Sequence, residues 1–62
     1  MHYKVAEKRK EQSMTQADLA QAAGVSRATI IALESGQEIV VKSSTLQAIA
    51  SALKCNVTDL FA

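Results

Sequence analysis

At 62 residues the chain is one domain at most, residues 1–62, and it buries too little surface to be stable by a wide margin. Seven Lys and Arg against six Asp and Glu leave a formal net charge of +1, too balanced to indicate a nucleic-acid partner by charge alone. A single cysteine, Cys55, and a single histidine, His2, exclude an intrachain disulfide framework or a Cys/His metal site, and 48% apolar residues argue against disorder.

Proline is absent, and the aromatic residues are Tyr3 and Phe61, so the expected core is aliphatic and the expected class all-α. From Tyr3 to Gln12 nothing breaks a helix, and Tyr3 and Val5 would dock it; Ser13 and Met14 interrupt it. Thr15 is a good N-cap, with Asp18 in the third position of a capping box. Leu19, Ala20 and Ala23 give this second helix a narrow face of small residues. Gly24 follows where a chain leaving a helix turns left-handed, and Val25 would plug the corner. Ser26 caps a third helix that buries Ile30 and Leu33 and ends at Gly36. "QEIVVKSS" breaks the helical period, so residues 37–44 read as an extended connection. A fourth helix is expected from Ser43 or Ser44 to Lys54, with Leu46, Ile49, Ala50 and Leu53 at i, i+3, i+4 and i+7. A short fifth, capped by Asn56 with Asp59 at its third position, would dock Val57, Leu60 and Phe61. Cys55 reads as a small half-buried apolar residue at a helix end.

Two short helices around a tight glycine corner have the geometry of a helix-turn-helix, whose second helix enters the DNA major groove. Burying Ala20, Ile30 and Leu33 would lock the pair and leave Ser26 and Arg27 projecting. The blocks "TQADLAQAAGVSRATIIALESG", "TLQAIASAL" and "DLF", in that order, resemble the Cro/lambda-repressor type of helix-turn-helix domain, the Xre family, from about Val5 to Phe61. The resemblance implies a five-helix bundle of the lambda-repressor-like type, with the helix-turn-helix in helices 2 and 3. It implies that Gln16 contacts a phosphate and braces the first recognition side chain. Ser26, Arg27, Ala28 and Ala32 match groove-facing positions, and Thr29 a position near the backbone. Arg9 and Glu34 match a partly buried ion pair between the first and third helices.

The chain also departs from the family. Ser13 and Lys54 stand where relatives often have glycine, which implies mildly strained turns. Gln37 replaces a common basic residue, and the 37–44 connection is one residue longer and lacks its proline. In relatives this loop lies near DNA and the dimer axis. Ile39, Val40 and Val41 are therefore expected at a homodimer interface, with core filling as the alternative, and Lys42 is the nearest basic residue for a phosphate. The C-terminal Leu60–Phe61–Ala62 end is a second candidate dimer surface, with a lid on the core as the alternative.

The expected function is a sequence-specific transcriptional regulator, most simply a repressor. It would bind an inverted-repeat operator in double-stranded DNA as a homodimer. Few cations per subunit make doubling the contacts the natural remedy. An antitoxin or restriction-modification controller would use the same chemistry; the rival from another class is a protein-interaction module that keeps the fold without binding DNA. No enzyme, cofactor, metal or small-molecule ligand is expected, since no nucleophile–base pair or carboxylate cluster is present. No apolar run approaches the ~20 residues of a membrane span, and "KEQSMTQ" is too polar for a signal peptide, so a cytoplasmic location is expected.

Overall fold

In the computed structural model, which describes residues 3–36 and 41–61, the chain forms α1 (Val5–Glu11), α2 (Gln16–Ala23), α3 (Arg27–Glu34) and α4 (Ser43–Ala52). A single 3-10 turn, Val57–Leu60, follows. Among the described residues there are thus four α-helices, and the expected fifth is one turn of the tighter kind. The reason is local and tertiary together. Only four residues separate the Asn56 cap from Phe61, two of them β-branched, and Phe61 is extended (φ −90°, ψ 141°). The Asp59 carboxylate accepts the Asn56 N–H at 3.0 Å and holds that turn. Phe61 pairs instead with Tyr3 in an isolated antiparallel bridge, their ring centroids 5.4 Å apart, and the Lys4 N–H donates to the Leu60 carbonyl at 2.6 Å. The same bridge delays α1 to Val5, because Tyr3 is committed to Phe61.

Three helices end in the same way. After α1, the Met14 N–H donates to the Arg9 carbonyl at 3.1 Å and that of Ser13 to Lys10 at 3.0 Å. After α2, Val25 reaches back to Ala20 at 3.0 Å and Gly24 to Gln21 at 3.3 Å. After α4, Cys55 reaches Ala50 at 3.0 Å and Lys54 reaches Ser51 at 3.1 Å. In each, a left-handed residue satisfies the last carbonyls and the next residue turns an apolar side chain inward. Met14, Val25 and Cys55 are those plugs, all half-buried against the core. Burial raises the Cys55 thiol above its ordinary pKa, with Asp59 adding to the effect, so it stays protonated at neutral pH.

The left-handed residues are Ser13 (φ 57°), Gly24 (φ 69°) and Lys54 (φ 58°), and only the glycine adopts that region without a Cβ penalty. The penalty is about 1–2 kcal/mol, of which glycine would return about 0.5–1 kcal/mol as lost unfolded-state entropy. Lys54→Gly should therefore stabilise the protein by roughly 0.5–1 kcal/mol, raising the thermal midpoint by about 2–8 °C. Scanning calorimetry checks this; a lower midpoint would mean that the Lys54 side chain contributes more than its backbone costs.

The core is a single cluster in which Val5, Leu19, Ile30, Leu33, Ile49, Leu53 and Leu60 are fully buried. α2 packs on both α3 and α4, and the small buried Ala20 and Ala50 belong to this packing. α1 lies against α3, and the 3-10 turn against α4. Gln37, Glu38, Ile39 and Val40 lie outside the described residues. Val41 is half-buried and packs against the core, as its core-filling alternative describes. Leu60 is buried and Phe61 half-buried, consistent with a lid. No helix among the described residues is long and apolar enough to cross a membrane.

Candidate nucleic-acid interface

Capping fixes where the two helices of the corner begin. Thr15 Oγ1 accepts the Asp18 N–H at 3.0 Å while Asp18 Oδ2 accepts the Thr15 N–H at 2.9 Å, a reciprocal box. Hydrogen bonding to the carboxylate, first by the Thr15 N–H and then by the Thr15 side chain, lowers the Asp18 pKa below its ordinary value. Ser26 Oγ accepts the Thr29 N–H at 3.2 Å and lies 2.9 Å from Thr29 Oγ1, so one of the two hydroxyls donates to the other. Between the caps, left-handed Gly24 and inward Val25 turn the chain from α2 into α3.

With Ile30 and Leu33 buried, a period of 3.6 residues per turn sends Ala28 and Ile31 away from the core and leaves Arg27, in the first turn, at the flank of that outward face. All three are exposed, and Ala32 is half-buried beside them. Ser35 completes this face, but its hydroxyl donates back to the Ala32 carbonyl at 3.0 Å. Arg27 is therefore the one cation of the α3 face, followed by methyl groups. Lys42 is exposed at the N-terminal end of α4.

Behind this face, Glu34 ties three helices together. Arg9 Nε donates to Glu34 Oε2 at 2.7 Å and Arg9 Nη2 to Oε1 at 3.1 Å, a bidentate pair with side chains only 13% and 8% exposed. Arg9 Nη1 also donates to the Met14 carbonyl at 2.8 Å, joining the end of α1 to the pair. Gln16 Nε2 donates to Glu34 Oε1 at 3.0 Å. Gln16, expected to contact a phosphate and brace the first recognition side chain, is bonded in this structure to the far end of α3. Burial alone would raise the Glu34 pKa; the bonds from Arg9 and Gln16 and the charges of Arg9 and Lys10 outweigh it and hold the carboxyl below its ordinary value. The bond to Glu34 likewise raises the Arg9 pKa against the opposing effect of burial. No buried side-chain polar atom among the described residues lacks a partner.

Sequence reasoning missed the Gln16–Glu34 bond, which links residues 18 apart without any local signal, and the Arg9 bond to the Met14 carbonyl. Ser26, Arg27, Ala28 and Thr29 come together at the N-terminal end of α3, and Ala32 lies about one turn further along it. Among the described residues there is no cluster of three or more potential metal ligands.

Comparison with known proteins agrees with this architecture. The helix-turn-helix family profile matches residues 5–60. The crystal structure of SinR, described as the master regulator for biofilm formation and solved in complex with DNA, is similar over 89% of this chain and 87% of its own. The TM-score is 0.83 and the identity 22%, a likeness of fold. No curated protein matches the chain significantly in sequence. The caps, the glycine corner, the outward α3 face and the matched profile together make the chain a member of the helix-turn-helix family of the Cro/lambda-repressor (Xre) type, a family of DNA-binding transcription regulators.

Proposed function

We propose that the protein is a transcriptional repressor that binds an inverted-repeat operator as a homodimer, with α3 in the major groove. The observation that carries this reading is the exposure of Arg27 and Ala28 in the first turn of α3, a helix locked to the core by Ile30 and Leu33. Arg27 is suited to bidentate bonding with guanine O6 and N7, and Ala28 and Ala32 to contact with bases. Gln16 keeps a second amide hydrogen for a phosphate while its first is held by Glu34. Ser26 and Thr29 lie at the capped end of α3, whose partial positive charge suits the backbone. Lys42 adds a phosphate contact, and Ile39, Val40 and the remaining exposed part of Val41 form the dimer contact.

Selecting the purified protein on a random duplex library at moderate salt tests the proposal. Enrichment of an inverted repeat, with half-sites roughly 34–36 Å apart, is the expected result. A single unpaired half-site would remove the homodimer. If nothing were enriched even at low salt, DNA binding would fall and the protein-interaction module would become the better reading.

A further inference from the structure

The bond between Gln16 and Glu34 does more than join two helices. Glu34 Oε1 accepts from Arg9 Nη2 at 3.1 Å and from Gln16 Nε2 at 3.0 Å, while Oε2 accepts Arg9 Nε at 2.7 Å. Arg9 Nη1 reaches the Met14 carbonyl at 2.8 Å. Met14 and Gln16 flank Thr15, the cap of α2, so one network grips the start of α2 on both sides of its cap. A carboxylate can only accept, so it selects the NH2 end of the Gln16 amide and turns the amide carbonyl away. Because the amide is planar, holding one of its hydrogens fixes the direction of the other. Arg9 cancels the Glu34 charge, so the anchor does not repel a nearby phosphate. Stability alone does not call for an ion pair here, since apolar side chains of similar volume often serve as well or better.

We infer that Glu34 is a positioning residue for DNA binding. Through its bond to Gln16 it orders that side chain before the duplex arrives, so the second amide hydrogen meets a phosphate without loss of side-chain freedom on binding. This rests on the regulator reading, and it gives Glu34 no contact with DNA of its own. A glutamine already held in place should bind about twofold to tenfold more tightly at each half-site than a free one, the range for immobilising one flexible side chain.

The test uses the selected operator with each phosphate in turn replaced by an uncharged methylphosphonate. Affinity is measured for the wild-type protein, Gln16→Ala, Arg9→Met/Glu34→Leu and the variant carrying all three substitutions, each below its thermal midpoint. The position to which the wild-type protein is sensitive and Gln16→Ala is not identifies the Gln16 phosphate. Arg9→Met/Glu34→Leu removes both charges together, which preserves the fold. It should bind about twofold to tenfold more weakly per half-site and lose sensitivity mainly at that phosphate. Adding Gln16→Ala should then cost less than it does in the wild-type protein, because both changes act on one contact. Wild-type affinity and phosphate pattern in Arg9→Met/Glu34→Leu overturn the proposal, as do losses that add in full. A Gln16→Ala protein with the wild-type phosphate pattern overturns it too, while leaving the regulator reading in place. A measurement on the wild-type protein alone makes the result independent of variant folding. Nitrogen-15 relaxation of the Gln16 side-chain amide, without DNA, should give an order parameter near the rigid-backbone value of about 0.85, and one below about 0.6 overturns the proposal. Absence of any duplex binding by the wild-type protein is a separate outcome, which overturns the regulator reading and this inference with it.

Discussion

Arg9→Ala should remove a large fraction of the stability of the protein. The substitution strands Glu34, whose side chain is 8% exposed, with Gln16 as its remaining partner, and removes the bond that closes the end of α1 on the Met14 carbonyl. Arg9 and Glu34 are only partly buried, so breaking the pair from one side costs less than a fully buried pair would, about 1.5–3 kcal/mol. A domain of this length has only about 3–9 kcal/mol in total. Thermal unfolding should show the midpoint falling by at least ~6 °C. Arg9→Lys should not rescue it, because an ammonium cannot reproduce the bidentate fork. Arg9→Met combined with Glu34→Leu should recover much of the loss, since replacing both partners removes the buried charge as well. The pH dependence separates a charge effect from a packing effect. In the wild-type protein the Glu34 pKa is depressed below its ordinary 4.5, so its contribution is complete above that value and lost as pH falls through the folded one. In Arg9→Ala the main depressing partner is gone, so the Glu34 carboxyl should titrate at a higher pH than in the wild-type protein and acidification should cost the variant less. The gap between the two proteins should narrow as the pH is lowered toward 4. A gap independent of pH would assign the effect to lost packing of the arginine stem.

Arg27→Ala should abolish operator binding at concentrations where the wild-type protein is saturated, while leaving the melting curve unchanged. Arg27 is exposed and outside the core, so the fold does not depend on it. A bidentate arginine–guanine contact is worth about 1–3 kcal/mol. A two-fold dimer makes it twice, so the loss is about 2–6 kcal/mol, or some 30-fold to 10⁴-fold in affinity. Base reading and phosphate binding leave different signatures. If Arg27 reads a guanine, the variant loses discrimination at one base pair of each half-site, and Arg27→Lys restores little. If it binds a phosphate, affinity falls uniformly across sequences and the slope of log affinity against log salt becomes shallower. A protein-interaction module would retain its function in Arg27→Ala, and that result would remove the DNA reading.

The parts of the fold set by short-range rules were legible from sequence. Thr15, Gly24 and Ser26 act through bonds to residues a few positions away, so the corner could be drawn before its packing was known. Tertiary contacts decided the rest. Tyr3 has the pattern of a helical residue, but its pairing with Phe61 takes both out of helices and leaves the last element a single turn. Ser13 and Lys54 carry no turn signal of their own; only the comparison with glycine-bearing relatives pointed to their left-handed backbones. The Arg9–Glu34 pair came from the resemblance as well, because charged residues 25 positions apart announce nothing in composition or period. Gln16 illustrates the remaining gap. The resemblance carried its place at the start of α2, whereas its bond to Glu34 depends on how steeply α2 and α3 cross, which no local pattern encodes.

The bridge between Tyr3 and Phe61 brings the two sides of the chain together almost as a clasp. The polypeptide is in effect a ring with one gap, and the order in which its helices are written is secondary to how they pack. A circularly permuted gene, in which a short glycine–serine link joins residue 61 to residue 3, would preserve every contact of the core. Polypeptide added on either side would leave the domain from the same spot, so an appended partner at the amino end or at the carboxyl end would start from one shared point on the surface.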